Sequence, residues 1–142
     1  MHPYAPACGL YCGACSSMLL HEKESGLSHA AHYIHEYNEG PCPGCVNGAQ
    51  ECEFIRCARE KGVSGCAACP DFPCVMILKF SKDEWPHHIE VIDNLMRIRE
   101  IGEAAWLSEQ AERWSCPDCG GRTHWYQKAC TICGAVITNA YS

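Results

Sequence analysis

The spacing of the cysteines is the feature that most constrains this chain. Fourteen of its 142 residues are cysteine, and ten of them form pairs separated by two residues. Two intervening residues let both sulfurs face one metal ion, and nearby glycines permit the tight turn that this requires. The pairs are Cys12/Cys15, Cys42/Cys45, Cys66/Cys69, Cys116/Cys119 and Cys130/Cys133. This pattern favours metal-bound thiolates over disulfides and indicates a reducing, cytoplasmic environment.

Composition narrows the functional classes further. The formal net charge is −6, and this acidic balance disfavours nucleic acid as a partner. No apolar run is long enough to cross a membrane, and the first ten residues lack the pattern of a secretory signal. The usual nucleotide-binding and hydrolase motifs are missing, which favours a binding module over an enzyme. A protein partner is compatible with this composition.

The C-terminal cysteines form the most specific pattern. Cys116, Cys119, Cys130 and Cys133 have the spacing of a four-cysteine zinc ribbon, with ten residues between the two pairs. We expect the segment from Arg122 to Lys128 to form a β-hairpin arm. A site with four protein ligands is closed, so its role is structural. Basic and aromatic residues on the arm also suggest a nucleic-acid-binding ribbon as an alternative function.

The N-terminal cysteines allow several ligand partitions. One partition combines the pairs Cys12/Cys15 and Cys42/Cys45 in one site, gathers four later cysteines in a second, and leaves Cys8 and Cys52 over. Another combines a six-cysteine, two-zinc cluster with one four-cysteine site, and a third gives Cys8, Cys12 and Cys15 a distant fourth ligand. A [4Fe–4S] cluster is the alternative to zinc, since thiolates also hold iron–sulfur clusters. The ten candidate ligands are Cys8, Cys12, Cys15, Cys42, Cys45, Cys52, Cys57, Cys66, Cys69 and Cys74.

The predicted fold is a small, metal-stabilised α+β protein in three parts. Residues 1–80 are an irregular cysteine-rich metal-binding module with short helices, residues 81–114 a helical segment packed on it, and residues 115–142 the zinc ribbon with its β-hairpin. Helices are predicted after the first cysteine pair, over Ser28–Tyr37, near Phe54 to Lys61, and on either side of Gly102. We expect the isoleucines and tryptophans of the middle segment to form core.

An ordered set of motifs resembles a family of small cysteine-rich proteins classed as a domain of unknown function. The motifs are Cys8-Gly-Leu-Tyr-Cys12-Gly-Ala-Cys15, then Pro43-Gly-Cys45, Cys57-Ala-Arg-Glu-Lys-Gly62 and Cys66-Ala-Ala-Cys69-Pro-Asp-Phe-Pro-Cys74. The segment from Ile98 to Gly120 is similar to members that end in a zinc ribbon. The resemblance implies a metal-binding fold and no established reaction, and Cys52 fits its pattern only loosely.

These observations predict a zinc-binding protein that acts as a structural or interaction module, with two to three closed four-cysteine sites. An iron–sulfur redox or electron-transfer protein is the first alternative, and a nucleic-acid-binding ribbon is the second.

Overall fold

A computed structural model describes residues 1–30, 40–48 and 51–141 of the protein, and within these ranges its regular structure is helical. The α-helices are α1 (Ser16–Glu24), α2 (Glu53–Glu60), α3 (Val75–Phe80), α4 (Val91–Ile101) and α5 (Glu103–Arg113). Short 3₁₀ turns occupy Cys12–Ala14, Ser28–Ala30, Cys45–Asn47, Cys66–Ala68 and Pro86–Glu90. None of the helices in these ranges is long and apolar enough to span a bilayer.

Most of the predicted helices are confirmed. α1 follows the first cysteine pair, α2 covers nearly all of the predicted segment, and α4 and α5 lie on either side of Gly102. Gly102 has a φ of +87°, a left-handed conformation that favours glycine and ends α4. The predicted helix over Ser28–Tyr37 lies mostly outside the described residues. α3 was not predicted, because its six residues are too few to show a helical period.

One apolar core includes residues from all three predicted parts of the chain. Its largest fully buried side chains are Trp106 and Trp114, and Leu95 and Trp125 join them. The tryptophans of α5 and its end are therefore core, as predicted. Ile89 is 67% exposed, and its assignment to the core was wrong. The three-part division stays a prediction.

The middle segment packs on the cysteine-rich loop near the N-terminus of the chain, which contains Gly9. Asn94 of α4 is buried, and its amide donates a hydrogen bond to the carbonyl of Gly9 at 2.9 Å. Gly9 has a φ of +86°, and a Cβ there would lie 2.6 Å from Leu95 Cγ. A glycine is therefore required for α4 to approach this loop closely.

The predicted α+β class, with its C-terminal zinc-ribbon β-hairpin, is wrong. No strand or sheet occurs among the described residues, and the C-terminal segment contributes only isolated bridges, Ser115 to Arg122 and Ala129 to Val136. The backbone of the expected arm bonds elsewhere. The Trp125 N–H donates to the carbonyl of Ala14 at 3.0 Å, and the Trp125 carbonyl accepts from Tyr141 at 2.6 Å. The Trp125 N–H is therefore not available to a hairpin ladder.

Candidate metal centres

Four thiols come together at the C-terminus. The Sγ atoms of Cys116, Cys119, Cys130 and Cys133, here called the C-terminal cysteine cluster, all lie within 4.8 Å of one another. Cys116 Sγ is 3.6 Å from Cys133 Sγ, and Cys119 Sγ is 3.5 Å from Cys130 Sγ. A tetrahedral ion with zinc–sulfur bonds of about 2.3 Å separates its sulfurs by ~3.8 Å. The cluster therefore has the size of a single-ion site, and it could hold a metal.

The same local structure builds both halves of this cluster. In each half, the N–H of the first cysteine donates to the carbonyl five residues later, at 2.7 Å and 2.8 Å. The glycines that follow the second cysteines, Gly120 and Gly134, have φ values of +74° and +77°. Their N–H groups donate to the carbonyl of the first cysteine at 2.9 Å in both halves. Two equivalent turns thus present two thiols each to one point.

Hydrogen bonds between the thiols shift the pKa values within the cluster in opposite directions, and the pKa of Cys133 is raised to about 12. Burial opposes ionisation of Cys130, but the N–H groups of Cys133 and Ile132 and the neighbouring thiols lower its pKa to about 7. The Ile132 N–H lies 3.4 Å from Cys130 Sγ. Because metals bind the thiolate form, donors that stabilise negative charge on sulfur also favour metal binding.

Arg122 attaches this segment to the rest of the molecule. One of its guanidinium nitrogens lies 2.6 Å from the carboxylate of Glu22 on α1, and the other donates to the carbonyl of Gly13 at 2.7 Å. Its guanidinium also lies over the ring of Tyr4, 5.1 Å from the centroid. The side chain of Glu22 is only 7% exposed. The ion pair is therefore largely removed from water.

Trp125 makes the second attachment. It is buried, and its ring stacks on the ring of His87 with centroids 3.9 Å apart. His87 Nδ1 lies 2.7 Å from the hydroxyl of Tyr126. Burial, with a smaller contribution from His88, lowers the pKa of His87 to about 3. Of the basic and aromatic residues that suggested a nucleic-acid surface, Arg122, Trp125 and Tyr126 thus contact the rest of the protein, whereas Lys128 is exposed.

The ten N-terminal cysteines are described here as two groups that interact with each other, since Cys66 of the second raises the pKa of Cys8 in the first. In the first, Cys12 has its pKa raised well above the usual range, by burial and by the nearby thiolates of Cys8, Cys15, Cys42 and Cys52. Cys45 joins this group because its thiol donates a hydrogen bond to Cys52. We call these the six-cysteine group, with members Cys8, Cys12, Cys15, Cys42, Cys45 and Cys52.

The second group surrounds Cys66. Burial and the thiolates of Cys74, Cys57 and Cys69, with a smaller contribution from Cys52 of the first group, raise the pKa of Cys66 to about 12. The Cys66 N–H donates to the carbonyl of Ala7 at 3.0 Å, so this four-cysteine group lies beside the start of the first group. Its members are Cys57, Cys66, Cys69 and Cys74.

Neither N-terminal group has the compact spacing of the C-terminal cysteine cluster. All fourteen cysteines lie in the described ranges. In those ranges, no other three ligand atoms from cysteine, histidine, aspartate or glutamate lie within 4.8 Å of one another. Some N-terminal thiols therefore approach one another in pairs, as Cys45 and Cys52 do, but within the described ranges no three of them come as close together as those of the C-terminal cysteine cluster.

Comparison with known protein families identifies the N-terminal part. Residues 4–79 match the model of a family described as proteins of unknown function (DUF3795). The chain belongs to this family. The resemblance predicted from the N-terminal motifs is thereby confirmed, and the match does not extend to the segment from Ile98 to Gly120. The DUF3795 match contains both N-terminal cysteine groups and most of α3, whereas α4, α5 and the C-terminal cysteine cluster lie beyond it. No curated protein and no solved structure matches the chain.

Sequence reasoning missed the side chains that join the DUF3795 segment to the rest. Glu22 and Asn94 are polar residues on otherwise ordinary helices, and both are buried. Arg99 of α4 donates to the carbonyls of Ala67 and Cys69, within the four-cysteine group. Their partners lie 30 to 100 residues away in sequence, so no local pattern identifies them.

Proposed function

We propose that the C-terminal cysteine cluster binds one zinc ion and that the protein is a metal-stabilised structural or interaction module. The observation that carries this proposal is the spacing of the four Sγ atoms, which lie 3.5 and 3.6 Å apart in the two closest pairs. Four thiolates around one tetrahedral centre are the ligand set of a structural zinc site. All four positions are filled by protein, so this site offers no open position for substrate.

The role of the ion follows from the way the C-terminal segment is attached. That segment also has a small apolar cluster of its own, separate from the main core. Its buried members are Cys116, Cys130 and Ile137. So little apolar surface cannot hold a fold by itself, and metal–thiolate bonds would supply the missing stability. The ion would also hold Arg122 and Trp125 in position for their contacts with α1 and with His87.

The proposal includes the environment and the partner class. Zinc-bound and unpaired thiols persist where disulfides are reduced, so we infer a reducing compartment such as the cytoplasm. A structural module acts through its surface, and we propose a protein partner. The nucleic-acid alternative loses its supporting observation, because Arg122 and Trp125 contact the body of the protein.

Metal analysis of the full chain tests the zinc site. The variant Cys133→Ala removes an exposed ligand, and we expect it to bind one zinc ion fewer per chain than the unaltered protein. The matched control is Ile132→Ala, which changes the exposed neighbouring side chain but keeps the backbone N–H that donates to Cys130. It should retain the ion.

Two results would overturn the zinc assignment. One is an unchanged zinc content in Cys133→Ala. The other is iron as the metal that Cys133→Ala loses, since four thiolates in a tetrahedron also accept iron.

A further inference from the structure

A cavity of about 540 Å³ is lined by four cysteines from separate segments of the DUF3795 match. Cys8 and Cys12 come from the first loop, Cys45 from the 3₁₀ turn that it begins, and Cys52 from the residue before α2. We call this space the thiol cavity. Its volume lies within the range of sites that hold a small molecule, about 300–1,000 Å³.

Two of these thiols are in direct contact. The Cys45 thiol donates a hydrogen bond to the sulfur of Cys52, although the two residues belong to different elements. Two thiols that share a hydrogen bond are already neighbours, so a disulfide between them needs only a small further approach. Both residues are half-buried and line the cavity, so a small molecule there can reach them.

The surroundings of the two sulfurs differ, and this difference decides which one reacts first. Cys52 lies directly before α2. The Cys45 thiol and the N–H groups of Ile55 and Phe54 donate to its sulfur, and they hold the pKa of Cys52 below its usual value against the opposing effect of burial. The thiolate is the form that attacks a disulfide. Cys52 is therefore the attacking thiol, and Cys45 is the neighbour that follows it.

A histidine with a fixed orientation belongs to the wall of the same cavity. His88 Nδ1 lies 2.8 and 2.7 Å from the two carboxylate oxygens of Asp83, and the ring packs on Phe80 with centroids 4.1 Å apart. A carboxylate at Nδ1 fixes the proton on that nitrogen, which leaves Nε2 as the nitrogen that exchanges a proton with a ligand. Two adjacent thiols and an oriented histidine therefore share one cavity.

We propose that the thiol cavity is a dithiol–disulfide exchange site, in which Cys45 and Cys52 reduce a small-molecule disulfide and His88 supplies the proton to the leaving thiolate. This activity goes beyond the proposed structural role, and the site shares no residue with the proposed zinc site. In a reducing compartment the protein disulfide would exist only transiently, during turnover.

The reaction consists of two displacements at sulfur. The Cys52 thiolate attacks one sulfur of the substrate, so that a mixed disulfide forms as the substrate S–S bond breaks, and the departing thiolate takes a proton from protonated His88. Cys45 then gives its proton to His88 and attacks Cys52 Sγ. The second substrate thiolate leaves and takes that proton. Two protein thiols are thereby oxidised to one disulfide, and the substrate disulfide is reduced to two thiols.

Single-turnover exchange with a neutral alkyl disulfide, bis(2-hydroxyethyl) disulfide, tests the proposal. The full chain is reduced, freed of reductant without oxygen and mixed with the probe, and the products are located by peptide mass spectrometry. We expect a Cys45–Cys52 disulfide as the first product, with release of two mercaptoethanol molecules per chain. In Cys45→Ser, Cys52 should instead retain half of the probe as a mixed disulfide, because the thiol that contacts it has been removed.

Two control variants separate this reaction from general thiol reactivity. Cys42→Ser removes a half-buried thiol of the six-cysteine group that does not line the cavity, and it should form the same disulfide at the same rate. His88→Gln should react about 100-fold more slowly with the alkyl probe. It should react at nearly the unaltered rate with an aromatic disulfide, whose leaving thiolate is stable without a proton. Helix content from circular dichroism identifies any variant that fails to fold.

Four results would overturn the proposal. The first disulfide could join cysteines other than Cys45 and Cys52, or folded Cys45→Ser could fail to retain the probe on Cys52. The third is a metal held by these two thiols in the purified protein, seen as a metal content that falls in Cys45→Ser and Cys52→Ser; loss of zinc in Cys133→Ala alone leaves the exchange proposal standing. The fourth is equal slowing of His88→Gln with both probes, which a structural defect would produce.

Discussion

Replacing Arg122 with methionine should destabilise the protein through the loss of one buried ion pair. Methionine keeps much of the apolar volume of the arginine stem but removes the guanidinium charge that lies against the Glu22 carboxylate, which still accepts from the Tyr4 hydroxyl. The carboxylate oxygen lies 2.6 Å from the guanidinium, and the side chain of Glu22 is 7% exposed. The change also removes the hydrogen bond to the Gly13 carbonyl.

The magnitude follows from the burial of the pair. Removing one partner of a buried ion pair costs about 3–5 kcal/mol, because the remaining charge stays desolvated and loses the attraction of that partner. The Arg122 side chain is 22% exposed, so water reaches this site in part, and we expect the lower end, about 3 kcal/mol. With a urea m value of about 2 kcal/mol/M, the unfolding midpoint should fall by about 1.5 M.

A double-mutant cycle isolates the pair from the other effects of the substitution. Urea unfolding of the zinc-loaded protein is followed by tryptophan fluorescence for Arg122→Met, Glu22→Gln and the double variant. We expect a coupling free energy of about 2 kcal/mol, because the Glu22→Gln variant no longer carries the charge that Arg122 neutralises.

The control for this cycle is the ion pair between Arg97 and Glu109, which joins α4 to α5. It has comparable distances, 3.0 and 2.5 Å, but its side chains are 41% and 44% exposed. Solvent screens such a pair, so Arg97→Met should cost much less than Arg122→Met. Equal losses for the two variants, or a coupling below about 0.5 kcal/mol, would refute the reasoning.

Two further predictions concern the loop before α1 and the contact of Trp125. Gly9→Ala should destabilise the protein by about 1–3 kcal/mol more than Gly26→Ala, because both positions have similar positive φ values but only the first meets a neighbour, Leu95 Cγ at 2.6 Å. Equal losses in chemical denaturation would contradict this. The pKa of His87 is about 6.5 in the unfolded chain and about 3 in the folded protein, because burial opposes its protonation. Below about pH 6.5 the unfolded chain therefore binds a proton that the folded protein does not, and the protein loses stability as the pH falls. On acidification, the free energy of unfolding of His87→Phe should therefore fall less steeply than that of the unaltered protein, by up to about 1.4 kcal/mol per pH unit. If the two proteins lose stability in parallel as the pH falls, His87 does not have this role.

The turns that present the thiols could be predicted because they are local. In the C-terminal segment, each cysteine pair and its following glycine form a turn whose hydrogen bonds stay within six residues. Gly120 and Gly134 are readable in the sequence as residues that permit a positive φ. The helices on either side of Gly102 are predictable for the same reason. The helical spacing of their apolar residues and the glycine that ends the first helix lie within one short stretch of sequence.

The β-hairpin prediction was wrong because strand pairing is not a local property. Thr123, Trp125 and Tyr126 have high strand propensity, but propensity does not choose the partner of a backbone N–H. Here the Trp125 N–H bonds to Ala14, more than a hundred residues earlier, and its ring stacks on His87. Burial of one large aromatic side chain in the main core outweighs what a short, exposed hairpin could gain.

The sequence by itself determined that this protein is cysteine-rich, that its thiols occur in paired turns, and that its N-terminal part carries the motifs of the DUF3795 family. Those properties depend on residues a few positions apart. Only the tertiary structure decided that Cys8, Cys45 and Cys52 line one cavity, because they come from separate segments that packing brings together. It also decided how the C-terminal segment is attached, since the Arg122–Glu22 pair becomes strong only where the surrounding fold excludes water.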